Sequence, residues 1–306
     1  MSDAWLAAAV ACGYFLAARL SLGLLLKPNG VAVFWPAAGI SSGILIALGP
    51  QVRLPVSVAV IASTVTANLM GDRDLWAGLS FGLCNAAEAL ITAGIIQHYF
   101  KAGFNLARLQ QVLGLVAAAI VSTTISGIGG AIAFKLFHSP TASMFNSWRD
   151  WFASDAVGII AVAPLVIGLA AAARDPPPRR EWVEGATALL MLSAMTGIII
   201  SLPNTPWQTL VPGALLFPML LWLAARCRPV FAAAGAFIVS LAVVWATIFG
   251  IGHFGDPKLP MEDLILQAQA VILVVTLGAF VLAALFAERR QHETVLMNSE
   301  ARLARA

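Results

Sequence analysis

Ten apolar stretches occupy most of this 306-residue chain and leave little room for another architecture. They lie at 4–26, 33–50, 54–70, 75–97, 112–134, 152–173, 183–202, 207–225, 229–251 and 264–287. Each is close to the roughly 20 residues that a helix needs to cross the hydrocarbon core of a bilayer. Because lipid offers the backbone no hydrogen-bond partners, such segments are helices. The pattern predicts an all-α, polytopic transmembrane helix bundle.

The second stretch is short and contains Pro36, Gly39 and Gly43. It fits a half-helix or a re-entrant segment, which is tolerated where its backbone is buried in protein or lines a wet cavity. Eight spans are therefore an alternative to ten. Both numbers are even, so both termini are expected on the same side of the membrane.

Composition excludes the other protein classes. Hydrophobic residues make up 60% of the chain and charged residues 11%, less than half of the roughly 25% found in soluble domains. So much apolar surface excludes a disordered chain. With a formal net charge of only +3 and scattered basic residues, nucleic acid is not an expected partner. The lipid bilayer is the expected partner.

Lysine and arginine in the short loops predict the orientation. With both termini placed in the cytoplasm, twelve of these residues lie in inner loops or the tail and five in outer loops. The eighteenth, Arg19, lies inside the first stretch. This bias predicts cytoplasmic N- and C-termini.

The chain divides into a membrane domain over residues 1–287 and a charged helix over 288–306. Pro176–Pro178 suggest a possible subdivision of the membrane domain near 174–182. The tail carries a weak seam with a spacing of 3.5 residues: Leu282, Leu285, Arg289, His292, Leu296, Ser299 and Leu303. It fits a signalling helix or a solvated helix equally well. The absence of a stop signal predicts that this chain is a fragment of a longer protein.

Three charged residues lie within the apolar stretches, where such groups are costly and usually functional. Arg19 and Asp155 are expected at a similar depth in the outer half of the membrane, and Glu88 lies deeper. Arg19 and Asp155 could form a static ion pair or a ligand or proton site. Asn85 and Glu88 are three residues apart and so share one helix face.

Catalytic and metal-binding patterns are missing from the sequence. The four histidines (His98, His138, His253 and His292) are far apart and lack the spacing of paired ligands. Three cysteines, an odd number in apolar or tight-turn settings, are predicted to be free thiols. Neither enzymatic activity nor a metal ion or other cofactor is expected.

The most distinctive string is Phe34-Trp35-Pro36-Ala37-Ala38-Gly39-Ile40. It combines an interfacial aromatic residue, a proline suited to a first helical turn and small residues that permit close packing. This string resembles the signature of the membrane-associated sensor family, first type (MASE1). Similar features follow in order: Asn85-x-x-Glu88, Trp151 with Asp155, Gly158 and Pro164, Leu216–Arg226, and Ala287–Arg290. Ser154 departs from the pattern, because glycine is expected before the aspartate.

The resemblance implies a signal-input domain in a bacterial cytoplasmic (inner) membrane, which works as a homodimer. It also implies that a PAS domain or the output domain of a histidine kinase or diguanylate cyclase follows the 288–306 helix. The signal would be a small-molecule ligand or a membrane partner protein. Signal-reading positions carried over from the family are Trp35, Pro36, Gly39, Asn85, Glu88, Trp151, Asp155 and Arg226; Arg19 is added for its charge. Trp35, Trp151, Asp155 and Arg19 are expected to form an outer pocket.

Two other functions remain open from the residues alone. Intramembrane carboxylates, the broken second stretch and a weak duplication also fit a small secondary transporter. A membrane scaffold that recruits a partner protein is a third interpretation.

Overall fold

The computed structural model describes residues 3–23, 32–71, 73–100, 103–201, 211–256 and 258–303. Apart from turns and two short 3₁₀ segments, these residues form ten α-helices and no strand. The helices are α1 (Asp3–Gly23), α2 (Pro36–Leu48), α3 (Arg53–Leu69), α4 (Leu75–Phe100), α5 (Leu109–Phe137), α6 (Met144–Arg174), α7 (Arg179–Ser201), α8 (Val211–Arg226), α9 (Pro229–Phe249) and α10 (Met261–Leu303). The predicted all-α bundle is confirmed.

Eight of the helices are long and apolar enough to cross a membrane. The other two apolar segments, α2 and the Leu216–Arg226 part of α8, are shorter. At 1.5 Å per residue, the 13 residues of α2 extend about 20 Å, short of the roughly 30 Å hydrocarbon core. The structure thus combines eight long helices with two short ones.

The short helix α2 is held against α6 by contacts between their backbones. Glycine makes these contacts possible, since a Cβ atom on Gly39 would overlap the carbonyl oxygen of Gly158. One on Gly158 would overlap the carbonyl oxygen of Trp35. Just before α2, the backbone N–H of Trp35 donates to the carbonyl oxygen of Ser154 at 3.2 Å. The small residues after Trp35 therefore serve to bring two helices into backbone contact.

Neighbouring helices alternate in direction, which gives the bundle two ends. We call one the mouth end, where α1, α3 and α5 finish and α4 and α6 begin. The Ser21 hydroxyl donates to the Phe34 carbonyl oxygen there, at 3.1 Å. We call the opposite end, where α10 leaves the bundle, the tail end. The charge bias of the loops predicts that the mouth end faces outside.

Residues on both sides of the proline run belong to one apolar core. Helices α9 and α10 pack against α6, and one buried cluster includes Ile160 from α6, Phe231 from α9 and Ile272 from α10. Helix α10 is continuous over 43 residues, so the last span and the charged tail are a single helix.

The backbone contact between α2 and α6 predicts a large effect of one added methyl group. Gly158→Ala should lower the free energy of unfolding by about 1–3 kcal/mol, the usual cost of overpacking. The control is Gly94→Ala in α4, where no atom lies within 4 Å of the new Cβ. It should change stability by less than about 1 kcal/mol. Unfolding of the purified protein in mixed micelles measures both, and equal effects would contradict the proposed packing.

Candidate functional site

A cavity of about 140 Å³ lies at the mouth end of the bundle. Its lining comes from five helices and from the segment before α2, and it includes Trp35, Asn85, Trp151 and Asp155. These four belong to the set of signal-reading residues predicted from the sequence. Residues far apart in the chain therefore meet at one enclosed space.

Four buried polar atoms of these side chains lack a hydrogen bond of normal length and angle: Nε1 of Trp35, Nε1 of Trp151, Oδ1 of Asn85 and Oδ2 of Asp155. Three of these side chains have a polar neighbour, since Trp35 interacts with Tyr14, and Trp151 and Asp155 interact with Glu88. Buried polar atoms are satisfied in the great majority of proteins, because an unmade hydrogen bond costs free energy. Two donors and two acceptors around one cavity indicate a site that is completed by an occupant, either water or a ligand.

Packing positions the backbone of Trp35 and the ring of Trp151. The Trp35 backbone is bonded to α6 and precedes the first turn of α2. The Trp151 ring lies against Gly130, where a Cβ atom would be only 2.5 Å from the ring. Its centroid is 5.4 Å from that of Phe81. The Trp151 side chain therefore depends on a glycine in α5 for its position.

A hydrogen-bonded chain orients the Asn85 amide. Its Nδ2 lies 3.4 Å from the Thr64 hydroxyl, which lies 3.4 Å from the hydroxyl of Tyr14. The Tyr14 side chain is fully buried. Since Nδ2 is directed towards Thr64, Oδ1 is left for the cavity. Sequence reasoning missed Tyr14, although a tyrosine within the apolar first stretch was a usable signal.

Two carboxyl groups lie next to each other below the cavity. Glu88 is 1% exposed and Asp155 4%, and they are close enough to interact with each other. The Ser126 hydroxyl donates to Oε2 of Glu88. The Ser154 hydroxyl is 3.1 Å from Oδ1 of Asp155. Ser154 thus supplies a polar contact to the carboxylate that glycine could not make.

Arg73 lines the cavity from the mouth side, and sequence reasoning did not select it. Its Nη1 donates to Oδ1 of Asn68 at 3.1 Å, and its guanidinium lies 5.8 Å from the ring centroid of Phe81. Burial lowers the pKa of Arg73. Among the described residues no carboxylate forms an ion pair with it.

A second cavity of about 450 Å³ adjoins the first and shares four lining residues with it, Arg73, Phe134, Ser147 and Asp150. It lies at the mouth end and includes His138, whose pKa is lowered by burial and then by Arg73. Asp150 is already paired with Arg149 at 2.9 Å. We call this second cavity the vestibule, because it continues from the inner cavity towards the mouth end.

The predicted approach of Arg19 to Asp155 is not found. No ion pair among the described residues joins them, and Arg19 Nη1 donates instead to the Ala67 carbonyl oxygen at 3.3 Å. Helix α1 packs on α3 and α2, so Arg19 reaches the end of α3. A cation is favourable there because it complements the helix dipole.

The remaining predicted residues lie outside the cavity lining. Arg226 is near the tail end of α8, where its Nε is 2.7 Å from Oε1 of Glu184. Pro36 and Gly39 shape and pack the start of α2. Among the described residues, no group of three or more histidine, cysteine or acidic side chains is placed to hold a metal ion. The cysteines Cys12, Cys84 and Cys227 are free thiols.

Among known protein families, the model of the MASE1 family matches residues 5–290 of this chain. The chain belongs to the MASE1 family. MASE1 is a membrane-associated sensor domain of signalling proteins, a sensory input domain rather than a catalytic one. No curated protein and no solved structure matches the chain.

Substitutions of Ser126 and Asp155 in this MASE1 domain should change its stability differently. Ser126→Ala removes the hydroxyl donor to Glu88 and should lower the free energy of unfolding by about 1–3 kcal/mol. Asp155→Asn removes one of two adjacent carboxyl groups and supplies an amide donor beside the other. It should leave stability unchanged or raise it by about 1 kcal/mol. The free energy of unfolding in micelles is measured for both variants. A loss of stability in Asp155→Asn as large as that in Ser126→Ala would contradict this account of the site.

Proposed function

We propose that this MASE1 domain reads a small ligand in the cavity lined by Trp35, Asn85, Trp151 and Asp155. The bound state then passes along α10 to a cytoplasmic output module of the histidine kinase or diguanylate cyclase type. The observation that carries the proposal is the reach of α10, which contacts the Trp35 segment and continues unbroken into the charged tail.

The contact at the mouth end is a buried hydrogen bond. Nε2 of Gln269 in α10 donates to the carbonyl oxygen of Val33 at 3.0 Å. Val33 lies two residues before Trp35, so a ligand that repositions the indole ring also displaces the acceptor of this bond. A ligand shifts such an equilibrium by as much as its affinities for the two arrangements differ.

At the tail end two residues of α10 bind the ends of neighbouring helices, and we call this pair the tail latch. Oε1 of Glu288 accepts a hydrogen bond from the backbone N–H of Leu109, the first residue of α5, at 3.0 Å. Nη1 of Arg290 donates to the carbonyl oxygen of Ala225 at 2.6 Å. An anion at a helix start and a cation at a helix end both complement the helix dipole.

The tail latch gives the Ala287–Arg290 run a physical role. It fixes the rotation and height of α10 where the helix leaves the bundle. A shift of α10 has to break or remake both contacts, which separates two discrete positions of the tail. Output activity would follow the balance between these positions.

The transporter alternative gains no support from the packing. Along α6, residues up to Asp155 line the mouth-end cavity, and those from Pro164 onwards line a cavity of about 450 Å³ near the tail end. Between them Gly158 is in backbone contact with α2. A Cβ atom on Gly43 would lie 2.8 Å from Cβ of Val166. Substrate flux in liposomes that contain the purified chain would make a transporter the better-supported function.

The proposed output modules act as dimers, so we expect the tails of two copies of this chain to associate along the leucine seam. Leu296 in the seam and Met297 beside it are 62% and 63% exposed, which makes them a matched pair. With the native cysteines replaced by alanine, Leu296→Cys should cross-link two copies in membranes several-fold more than Met297→Cys. Equal yields would contradict a dimer with this seam.

Transmission is tested in the same membranes. Gln269→Ala removes the hydrogen bond to Val33 and should change the yield of the Leu296→Cys cross-link at least twofold. The control is Val274→Ala on the same helix, where the side chain is 72% exposed and its loss should leave the yield unchanged. A cross-link yield unaffected by Gln269→Ala would contradict a signal path through α10.

A further inference from the structure

The mouth-end cavity has unmatched groups of opposite charge at its two ends. At the inner end the buried carboxyl groups of Asp155 and Glu88 lie together, and no ion pair among the described residues joins either of them to a cation. At the opposite end Arg73 is partly buried and has no ion-pair partner among the described residues. An unpaired charge away from water is costly, and the cost is relieved by an opposite charge. Each end therefore favours a ligand group of the other sign.

The two ends lie at different depths. Arg73 lines both the inner cavity and the vestibule, as does Asp150. Asp155 follows Asp150 by five residues on the same helix, a rise of about 7 Å at 1.5 Å per residue. A ligand that satisfies both ends therefore carries its two charges on separate groups.

The deeper end is suited to an ammonium group. Oδ2 of Asp155 and Oδ1 of Asn85 are two acceptors that receive no hydrogen bond of normal geometry, and an ammonium supplies three donors. The rings of Trp35 and Trp151 line the same space, and aromatic faces attract cations. The neighbouring Glu88 adds a second carboxyl group below. An anionic group at this depth would be repelled.

The mouth side is suited to a carboxylate. The Arg73 guanidinium has five N–H donors, and one hydrogen bond to a side chain, that of Asn68, occupies it. Asp150 forms no ion pair with Arg73; its Oδ1 accepts instead from Nε and Nη2 of Arg149. Guanidinium and carboxylate groups match in geometry as well as in charge.

We propose that the occupant of this cavity is a small zwitterion, with its ammonium group at Asp155 and Asn85 and its carboxylate at Arg73. This inference rests on the proposed function, since it specifies the ligand of the same site. A neutral polyol would leave both charges unpaired. An amine or an acid alone would satisfy one end only.

The test uses linear ω-amino acids from glycine to 6-aminohexanoate, which differ only in charge separation. Each is compared with the alkylamine and the carboxylic acid of the same length, by calorimetric titration of the purified chain in lipid nanodiscs. At one chain length the zwitterion should bind at least tenfold more tightly than both matched compounds. Binding of the amine or the acid as tight as that of the zwitterion, or no binding by any member of the series, would overturn the proposal.

Substitutions assign each charge to its partner. Asp155→Asn should abolish the preference for the zwitterion over the acid, and Arg73→Gln the preference over the amine. Lys258→Gln removes an exposed positive charge near the mouth end and should preserve both preferences. Loss of both preferences in Lys258→Gln would contradict the assignment.

Failure of this inference is distinguishable from failure of the proposed function. If only amines bind and Asp155→Asn abolishes their binding, the cavity is a ligand site and the zwitterion is wrong. If instead Gln269→Ala leaves the tail cross-link unchanged, the path through α10 is wrong, whatever binds in the cavity.

Discussion

The backbone contact between α2 and α6 is the constraint on which the rest of the structure depends. Gly39 and Gly158 allow it, and the hydrogen bond from Trp35 N–H to Ser154 extends it towards the mouth end. The contact places Trp35 next to the start of α6, where Trp151 and Asp155 lie one turn apart. It also closes the bundle below the cavity. A short helix thereby builds one wall of the site and seals its floor.

The site itself is left unsatisfied by the protein. Four polar atoms that elsewhere would be hydrogen-bonded line one small space, and Arg73 stands at its mouth without an ion pair among the described residues. Stable cores avoid such arrangements, whereas binding sites keep them because a ligand supplies the missing partners. The same segment touches Gln269 of α10. A ligand in the cavity can therefore act on α10, which runs from the mouth end into the charged tail.

Sequence reasoning predicted the helices, because they follow from the positions of the apolar stretches. Trp35, Asn85, Trp151 and Asp155 were selected together through their likeness to a family, and the structure brings them to one cavity. Depth alone misled in the case of Arg19, which lies at the expected level but on a helix that packs against α3. Arg73 was missed because it lies in a loop, and a loop residue's direction is set by tertiary packing. The carbonyl oxygens that accept hydrogen bonds from Arg290 could not be predicted either, because tertiary packing brings them to its side chain.

The central claim is that the state of the cavity is coupled to the position of the tail. The most direct measurement is the distance between spin labels at Gln110, near the start of α5, and Leu296, in the tail beyond Glu288 and Arg290. The account predicts that Asp155→Asn shifts the distance distribution, because it alters the cavity and hence the Trp35 segment that α10 contacts. Lys258→Gln should leave the distribution as it is. Identical distributions for the native chain and Asp155→Asn would contradict the coupling.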